Sequence, residues 1–265
     1  RNGELLADNR PTYILTIVRE RSDNLSELLG TIGSLIEISD NDIKRFEKRL
    51  TRRKPYEQTP LKYDLTEQER GILAVNGYLL DGAEVSARLM RFYPDGELFG
   101  HAIGYVGRIN ERESQTIDGI KYSGTDSIGK IGLEKFYESQ LLGEVGTEHV
   151  ETNARGRVMR ILDNRDPVPG NNLTLYLDSR LQRVAHKAFE GERGALVAID
   201  VKTGGILAMV SAPGYDPNLF VSGISQKNYD SLLNSPDRPL FDRTIRGQYP
   251  PGSTIKPLFG LIGLH

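Results

Sequence analysis

The sequence has 265 residues, of which 38% are hydrophobic, 34 are lysine or arginine and 36 are aspartate or glutamate. This apolar content is enough for a packed core, and a net charge of −2 does not favour binding to nucleic acid or to an anionic membrane surface. The absence of cysteine excludes disulfides and thiolate metal sites, and no apolar run reaches the roughly 18 residues of a membrane-spanning helix. The chain starts without methionine and ends within an apolar helical pattern, so we expect both ends to be cut.

Three helices are predicted in the first third of the chain, where apolar residues recur at helical spacing behind capping residues. Asn24 precedes the first set and has Glu27 three positions later, as in a reciprocal cap. Ser39 precedes the second set, and Thr66 with Glu69 forms a capping-box pattern before the third. The first half of the chain is therefore expected to mix short elements.

The middle of the chain combines one more predicted helix with a linker. In IGKIGLEKFYESQLLG, residues 128–143, the apolar positions Ile131, Phe136, Tyr137 and Leu141 indicate a helix that Gly143 closes. Residues 164–172, NRDPVPGNN, concentrate the residue types of turns and linkers, so we place a domain boundary after residue 168. Beyond it, LTLYLD alternates like a strand, and Asp178 is placed to cap a following helix.

Two apolar runs in the second domain predict a β-hairpin. GALVAID and GILAMVS flank the turn VKTG, in which Gly204 or Gly205 would supply the positive φ. A strand, a helix and a hairpin in this order begin an α/β domain. The next segment, residues 213–251, is rich in proline, asparagine, serine and glycine, so we expect a long surface connection with one short helix near residues 229–233.

One short segment pairs a candidate nucleophile with a candidate base. YPPGSTIKP, residues 249–257, places Ser253 and Lys256 three residues apart at an expected helix start, where both side chains face one side. A serine hydroxyl becomes a good nucleophile when a neighbouring base takes its proton, and a lysine serves as that base where desolvation lowers its pKa from about 10.4. The helix N-terminus adds free N–H donors that favour a developing oxyanion.

The spacing alone does not identify this site, because Ser127 and Lys130 share it and also precede a predicted helix. The context of Ser253 differs, since Pro-Pro-Gly comes directly before it and the apolar PLFGLIGL that follows predicts a buried helix. On these local features, a catalytic role for Ser253 and a simple helix cap are equally compatible with the sequence.

Several segments together resemble the class B penicillin-binding proteins. YPPGSTIKP resembles the active-site motif of these acyl-serine enzymes, whose nucleophile and base lie in Ser-x-x-Lys. RNGELLADN resembles the segment after their membrane anchor, and IGKIGLEKFYESQLLG, NARGR and IDVKTGGILAMVSAPGYDPNLF resemble later parts of the same proteins. The resemblance covers nearly the whole chain, and within class B it is greatest to the elongation-specific branch.

The resemblance implies a fold, a domain division and an activity. The fold is an α+β pedestal, a non-catalytic dimerisation-like domain over residues 1–168, followed over residues 169–265 by the N-terminal portion of an α/β transpeptidase domain of the serine β-lactamase-like type. The activity is that of a peptidoglycan D,D-transpeptidase of the D-Ala-D-Ala carboxypeptidase class, with Ser253 as acylated nucleophile and Lys256 as general base. The family's Ser-x-Asn and Lys-Thr-Gly motifs do not follow Ser253, so we expect the chain to be truncated and inactive. Residues 202–204 spell Lys-Thr-Gly but precede the nucleophile, and we assign them to the hairpin.

The same resemblance implies partners and a location. The substrate would be a peptidoglycan stem peptide ending in D-Ala-D-Ala, β-lactam antibiotics would acylate the same serine, and the pedestal would dock a RodA-type glycosyltransferase and an MreC-type scaffold. The domains would face the periplasm from the bacterial inner membrane, held by a single N-terminal anchor absent from this chain, and no cofactor is implied. Alternatives are a division-specific class B enzyme, a non-catalytic pedestal interaction module, and a serine β-lactamase or β-lactam sensor domain.

The remaining candidate residues are interpreted as structural. The four histidines are scattered without metal-ligand spacing, so we predict no metal site. They are His101, His149, His186 and His265. Arg155 and Arg157 in NARGR are assigned to salt bridges rather than to a substrate or a partner.

Overall fold

The computed structural model describes residues 1–51, 53–123, 125–152 and 158–265. Arg155 and Arg157, assigned above to salt bridges, lie outside the described residues. Up to the predicted boundary, the regular elements are β1 (Asp8–Val18), α1 (Leu25–Leu35), α2 (Asp40–Leu50), β2 (Gln58–Lys62), α3 (Glu67–Val75), β3 (Ala83–Phe92), α4 (Gly100–Ile103), β4 (Val106–Arg108), α5 (Glu111–Ser114), β5 (Ser127–Gly129), α6 (Gly132–Phe136), α7 (Glu138–Leu141), β6 (Thr147–Thr152) and β7 (Val158–Arg165). After it come α8 (Ser179–Lys187), β8 (Gly194–Ile199), β9 (Ile206–Ala212), α9 (Asn218–Val221), α10 (Gln226–Leu233), α11 (Arg243–Arg246) and α12 (Lys256–Leu264).

The first core lies between a three-stranded antiparallel sheet, in the order β2-β1-β3, and helices α1 to α3. Leu15 and Ile17 point from β1 into this core, as expected for alternate residues of a strand. Each helix contributes apolar residues from one stripe, among them Ile32 from α1 and Phe46 from α2. The burial of these residues fixes the register of the sheet against the helices.

The capping residues predicted from the sequence begin all three helices. Asn24 accepts hydrogen bonds from the backbone N–H groups of Ser26 and Glu27, and Ser39 accepts one from the N–H of Asp42. Thr66 and Glu69 form a complete capping box at the start of α3. These three helix predictions are confirmed, because each side chain satisfies a backbone donor that the first turn leaves free.

A second core joins the two parts of the chain. Tyr93, Phe99 and Ile103 come from the first part, whereas Leu177 and Val221 come from beyond residue 168, and all five are buried together. The two parts are therefore held together by a shared apolar interior. No helix of the described residues is long and apolar enough to cross a lipid bilayer.

The start of the second part agrees with the predicted helix and hairpin. Asp178 caps α8 by accepting from the N–H groups of Arg180 and Leu181. Strands β8 and β9 pair antiparallel, with Leu196 opposite Val210, and Gly204 in the connecting turn has a φ of +73°. Gly204 is therefore the residue that the turn requires to adopt positive φ.

Two predicted elements differ in the structure. The helix predicted from Ile131 to Leu141 is present but not continuous, because it divides into α6 and α7 at Tyr137, whose ψ is 17°. LTLYLD, residues 173–178, is not a strand. A single backbone hydrogen bond, from the N–H of Asp178 to the carbonyl of Leu207, joins it to β9, and this does not make a ladder. In both cases tertiary contacts override the local pattern.

The connection over residues 213–251 is more buried than predicted. Helix α10 confirms the short helix expected near residues 229–233. The same segment also contains α9 and α11, and it buries Tyr215, Phe220 and Arg243. The prediction of a surface connection is wrong for these residues, because an aromatic contact between Phe220 and Tyr105, stacked at 4.2 Å between ring centroids, draws the segment onto the first part of the chain.

Candidate active site

The segment that leads to the predicted nucleophile is attached to the central hairpin. Ser211, on β9, accepts a hydrogen bond from the backbone N–H of Arg243 at 3.0 Å and donates one to the carbonyl of Phe241 at 3.3 Å. The guanidinium of Arg243 donates to three backbone carbonyls, including that of Arg238 at 3.2 Å. A buried arginine thus closes this loop, and α11 follows with Asp242 as its cap.

The predicted nucleophile lies in a single 3₁₀ turn that leads directly into α12. This turn spans Gly252–Ile255, and Gly252 enters it with a φ of +57°. Ser253 stands in the turn, and Lys256 is the first residue of α12. Because residues three apart eclipse each other along a 3₁₀ turn, the two side chains leave the backbone on the same side. The predicted helix start is confirmed in this form.

The surroundings of this turn differ from the sequence-based expectation. Ser253, Lys256 and the apolar residues of α12 are exposed, with Phe259 at 61% and Leu261 at 66% exposure. None of the described residues packs over this helix, so its predicted burial is not found among them. The apolar face of α12 is left open.

The second Ser-x-x-Lys sequence has a different structure. Ser127 begins β5 and Lys130 follows that strand, so the pair precedes α6 without being part of a helix. The Ser127 hydroxyl donates to Asp126 at 3.2 Å, and the ammonium of Lys130 is paired with Glu113 at 2.5 Å. Lys130 is therefore engaged by a carboxylate and is not directed at Ser127.

Residues 202–204 form the hairpin turn predicted for them. Lys202, Thr203 and Gly204 form the turn between β8 and β9, where the Thr203 hydroxyl donates to Asp200 at 2.8 Å. His101 is packed edge-on against Tyr215 at 5.1 Å between ring centroids. In the part of the chain that the structure describes, no three metal-binding side chains are grouped together.

A buried polar network joins the first part of the chain, and the sequence alone did not reveal it. Glu134 is 3% exposed, accepts from Arg91 Nε at 2.7 Å and accepts from the hydroxyl of Tyr93 at 3.2 Å. The same hydroxyl accepts from the N–H of Val106 at 2.9 Å. Burial, followed by the nearby charge of Glu134, raises the pKa of Tyr93 well above its usual range, so this phenol stays protonated.

The side chain of Asn218 links this network to the second part of the chain. It accepts from the N–H of Tyr93 and donates to the carbonyl of Tyr93, both at 2.9 Å. Residues 93 and 218 are 125 positions apart, so no short-range pattern could have paired them. The sequence feature that could have placed Asn218 in the interior is the run GYDPNLF, residues 214–220. Its tyrosine and phenylalanine are both buried.

Two family models match the chain in succession. The penicillin-binding protein dimerisation domain matches residues 1–175, and the penicillin-binding protein transpeptidase domain matches residues 194–265. Among curated relatives, the peptidoglycan D,D-transpeptidases MrdA of Acinetobacter baumannii and of Escherichia coli K12 are 44% and 42% identical over the whole of this chain. The chain spans 39% and 42% of the length of these two relatives.

Solved structures agree with this assignment. Penicillin-binding protein 2 of Helicobacter pylori in complex with MreC is 29% identical with a TM-score of 0.77, over 98% of this chain and 49% of that one. Penicillin-binding protein 2 of Pseudomonas aeruginosa in complex with WCK 5153 is 53% identical with a TM-score of 0.59, over 67% of this chain and 35% of that one. The chain therefore belongs to the class B penicillin-binding proteins, with their pedestal dimerisation domain followed by part of their transpeptidase domain.

Proposed function

We propose that this chain is part of an elongation-type peptidoglycan D,D-transpeptidase that works through an acyl-serine intermediate. The observation that carries the proposal is the 3₁₀ turn of Ser253, which enters α12 within the residues matched to the transpeptidase domain. The similarity of the whole chain to MrdA transpeptidases supports the reaction and the elongation type. Ser253 is the nucleophile and Lys256 is the general base in this proposal.

The proposed reaction has two halves. Ser253 Oγ attacks the carbonyl of the penultimate D-Ala of a stem peptide, Lys256 takes the hydroxyl proton, and the C–N bond to the terminal D-Ala breaks as that residue leaves with a proton. An amine of a neighbouring stem then attacks the ester carbonyl, the new C–N bond forms as the C–Oγ bond to Ser253 breaks, and the proton lost by the amine returns to Ser253 Oγ through Lys256. A β-lactam acylates Ser253 in the same way, but its opened ring stays attached and blocks the second half. This chemistry requires no cofactor.

The proposed division of labour follows the predicted boundary. Residues 1–168 form the pedestal, and residues 169–265 form the N-terminal portion of the transpeptidase domain. The pedestal docks an MreC-type scaffold, which the Helicobacter pylori complex of a similar protein with MreC supports. We include a RodA-type glycosyltransferase as a second pedestal partner, and we place the domains in the periplasm beside the inner membrane, on the basis of the family resemblance.

The test is intact-mass spectrometry of a native chain that includes these residues and the rest of the transpeptidase domain, after incubation with a β-lactam. We expect one adduct on the wild type, none on Ser253→Ala, and an unchanged adduct on the matched control Ser127→Ala. A folded wild type without an adduct would contradict the enzyme and favour the non-catalytic pedestal module. Loss of the adduct in Ser127→Ala instead would move the nucleophile to the other Ser-x-x-Lys sequence.

A further inference from the structure

The outer strand β3 of the three-stranded pedestal sheet has a free side. The sheet order is β2-β1-β3, so β3 pairs with β1 along one side only. The N–H of Val18 donates to the carbonyl of Gly82 at 2.8 Å, and this register directs the even-numbered residues of β3 to β1. The odd-numbered residues Val85, Ala87 and Leu89 therefore point their N–H and carbonyl groups outward, where no group of the described residues bonds them. We call these outward backbone groups the β3 edge.

The opposite side of the same sheet is protected against a further strand. Strand β2 has five residues and contains Pro60, and its pairing with β1 is interrupted between Leu15 and Thr16. Arg49 on α2 also donates to the carbonyl of Pro60 at 2.7 Å. A short strand, a proline and an irregular register are the features by which proteins prevent edge-to-edge pairing. Strand β3 has ten residues, no proline and an uninterrupted register, so it lacks all three.

The residue that follows β3 shows how this side of the strand takes a partner. The side-chain amide of Asn218 accepts from the N–H of Tyr93 and donates to its carbonyl, both at 2.9 Å. Tyr93 is odd-numbered and so faces the same way as the β3 edge. The amide makes the two hydrogen bonds that a residue of a neighbouring strand would make. It satisfies Tyr93 alone, and the β3 edge from Val85 to Leu89 stays open.

An apolar groove lies on one face of the sheet beside the β3 edge. It has a volume of about 500 Å³ and runs between α3 and the sheet, with Leu15, Leu73 and Val85 among its lining residues. The side chains of Val85 and Leu89 lie on this face and are 40% and 71% exposed. A strand added to the β3 edge would direct every second side chain to the face that bears the groove.

The other face of β3 carries an arginine without an ion pair. Arg88 is exposed, and no hydrogen-bond acceptor or carboxylate of the described residues lies within 4.0 Å of its guanidinium. Glu84 lies on the same face of β3, but Arg21 and Gln58 already bind its carboxylate. Three other carboxylates line a cavity with Arg88 but make no ion pair with it; they belong to Asp126, Glu134 and Glu138. A carboxylate on an added strand could pair with Arg88 directly.

We propose that the β3 edge binds an extended segment of another protein, which adds a strand to the pedestal sheet. The backbone of the segment would bond to the β3 edge, its apolar side chains would lie on the groove face, and an alternate acidic side chain would face Arg88. A second copy of this chain fits less well, because its own β3 would present Glu84, which Arg21 and Gln58 already hold. The surface is separate from Ser253 and does not depend on the proposed reaction.

The first test is a fluorescence-anisotropy titration of the native protein against a labelled synthetic peptide in which valine alternates with glutamate. We expect saturable binding that Ala87→Pro weakens at least about fivefold, because proline removes one outward N–H and is tolerated at a sheet edge. Arg88→Glu should weaken binding of this peptide and strengthen binding of the same peptide with lysine in place of glutamate. Arg19→Glu, at an exposed arginine of the 3₁₀ turn after β1, is the matched control and should bind like the wild type. Circular dichroism establishes that each variant is folded.

Hydrogen exchange and sedimentation identify what covers the β3 edge. With the peptide bound, the amides of Val85, Ala87 and Leu89 should exchange at least about tenfold more slowly, as expected when a ladder forms over them. Unchanged exchange of these amides would overturn the addition of a strand. The proposal also fails if the wild type does not bind the peptide, or if Ala87→Pro and Arg88→Glu bind it as tightly as the wild type. Sedimentation of a dimer that Ala87→Pro dissociates would instead assign the edge to a second copy of this chain. The acylation of Ser253 is measured separately and is independent of these results.

Discussion

Serine and lysine occur three residues apart at two places in this chain, and the backbone gives the two pairs opposite geometries. Ser127 and Lys130 lie on and after a strand, where residues three apart point to opposite faces. Ser253 and Lys256 lie in a 3₁₀ turn and the first turn of a helix, where residues three apart lie on one side. The spacing of two residues predicts chemistry only when the backbone conformation between them is known.

The surroundings of the two pairs differ as well. Lys130 is held by Glu113 within the pedestal, and Gly129 beside it is so close to Glu134 that an added β-carbon would lie 2.3 Å from that residue's carbonyl oxygen. By contrast, an added β-carbon on Gly252 would meet nothing within 4 Å. The first pair is built into packed structure, whereas none of the described residues packs over the second.

The largest expected effect concerns the two lysines. Lys256→Gln should slow acylation by a β-lactam about 10²- to 10⁴-fold, because it removes the proposed general base. Lys130→Gln should leave the acylation rate within about twofold, because Lys130 is engaged by Glu113. Stopped-flow or mass-resolved acylation rates of the native chain test both variants. If the two variants lost acylation rate equally, the result would contradict the assignment of Lys256, rather than Lys130, as the general base.

The next effect concerns the buried network behind the first pair. Glu134→Ala should lower the free energy of unfolding by about 3–5 kcal/mol, because it leaves Arg91 without its buried partner. Glu151→Ala, which breaks the exposed pair with Arg160, is the matched control and should cost less than about 1 kcal/mol. Urea denaturation measures both. Similar losses of unfolding free energy in the two variants would show that burial does not make the Glu134 ion pair more important for stability than an exposed pair.

A glycine substitution tests how tightly the first pair is packed. Gly129→Ala should cost about 1–3 kcal/mol, because its β-carbon would overlap with Glu134 and with the carboxylate of Glu138. Gly71→Ala in the exposed part of α3 meets nothing within 4 Å and should stabilise the protein by up to about 1 kcal/mol. Thermal unfolding compares the two. If Gly129→Ala left the thermal stability unchanged, β5 would have to move away from Glu134 at little energetic cost.

The smallest effect is the pH dependence of the Glu113–Lys130 pair. Burial alone would raise the pKa of Glu113, but the N–H of Asn110 and the ammonium of Lys130 outweigh it and hold the pKa below its usual value. The carboxylate therefore adds stability above its unfolded pKa of about 4.3, and this is lost as the pH falls through the folded pKa. Glu113→Gln should cost under about 1 kcal/mol at pH 7, and progressively less as the pH falls below the unfolded pKa. A constant difference in unfolding free energy from pH 7 to pH 3 would contradict this.

The local part of the fold could be predicted from the sequence. The caps at Asn24, Ser39, Thr66 and Asp178 all lie where the pattern of polar and apolar residues puts them. Each of these signals acts over about one helical turn, so no distant contact was needed to find it. The hairpin around Gly204 is predictable for the same reason.

The predictions that failed depend on distant contacts. The expected strand at residues 173–178 has one backbone bond to β9, and the expected single helix at residues 131–141 divides. Residues 213–251 were expected on the surface, yet Tyr215 is buried with its hydroxyl on the carbonyl of Gly100, 115 positions away. The alternation of apolar residues and the composition of a segment indicate which secondary structure it can adopt, but not which distant segment it will pack against.

The sequence by itself determined the helix caps, the hairpin turn and the Ser-x-x-Lys segment at Ser253, because each of these depends on residues within a few positions of one another. Only the tertiary structure decided that Ser127 begins a strand that Lys130 follows, and that Glu134 is buried with Arg91 and Tyr93. These features join residues that are tens of positions apart. They arise when apolar burial brings distant segments together and leaves their polar groups to find the partners within reach.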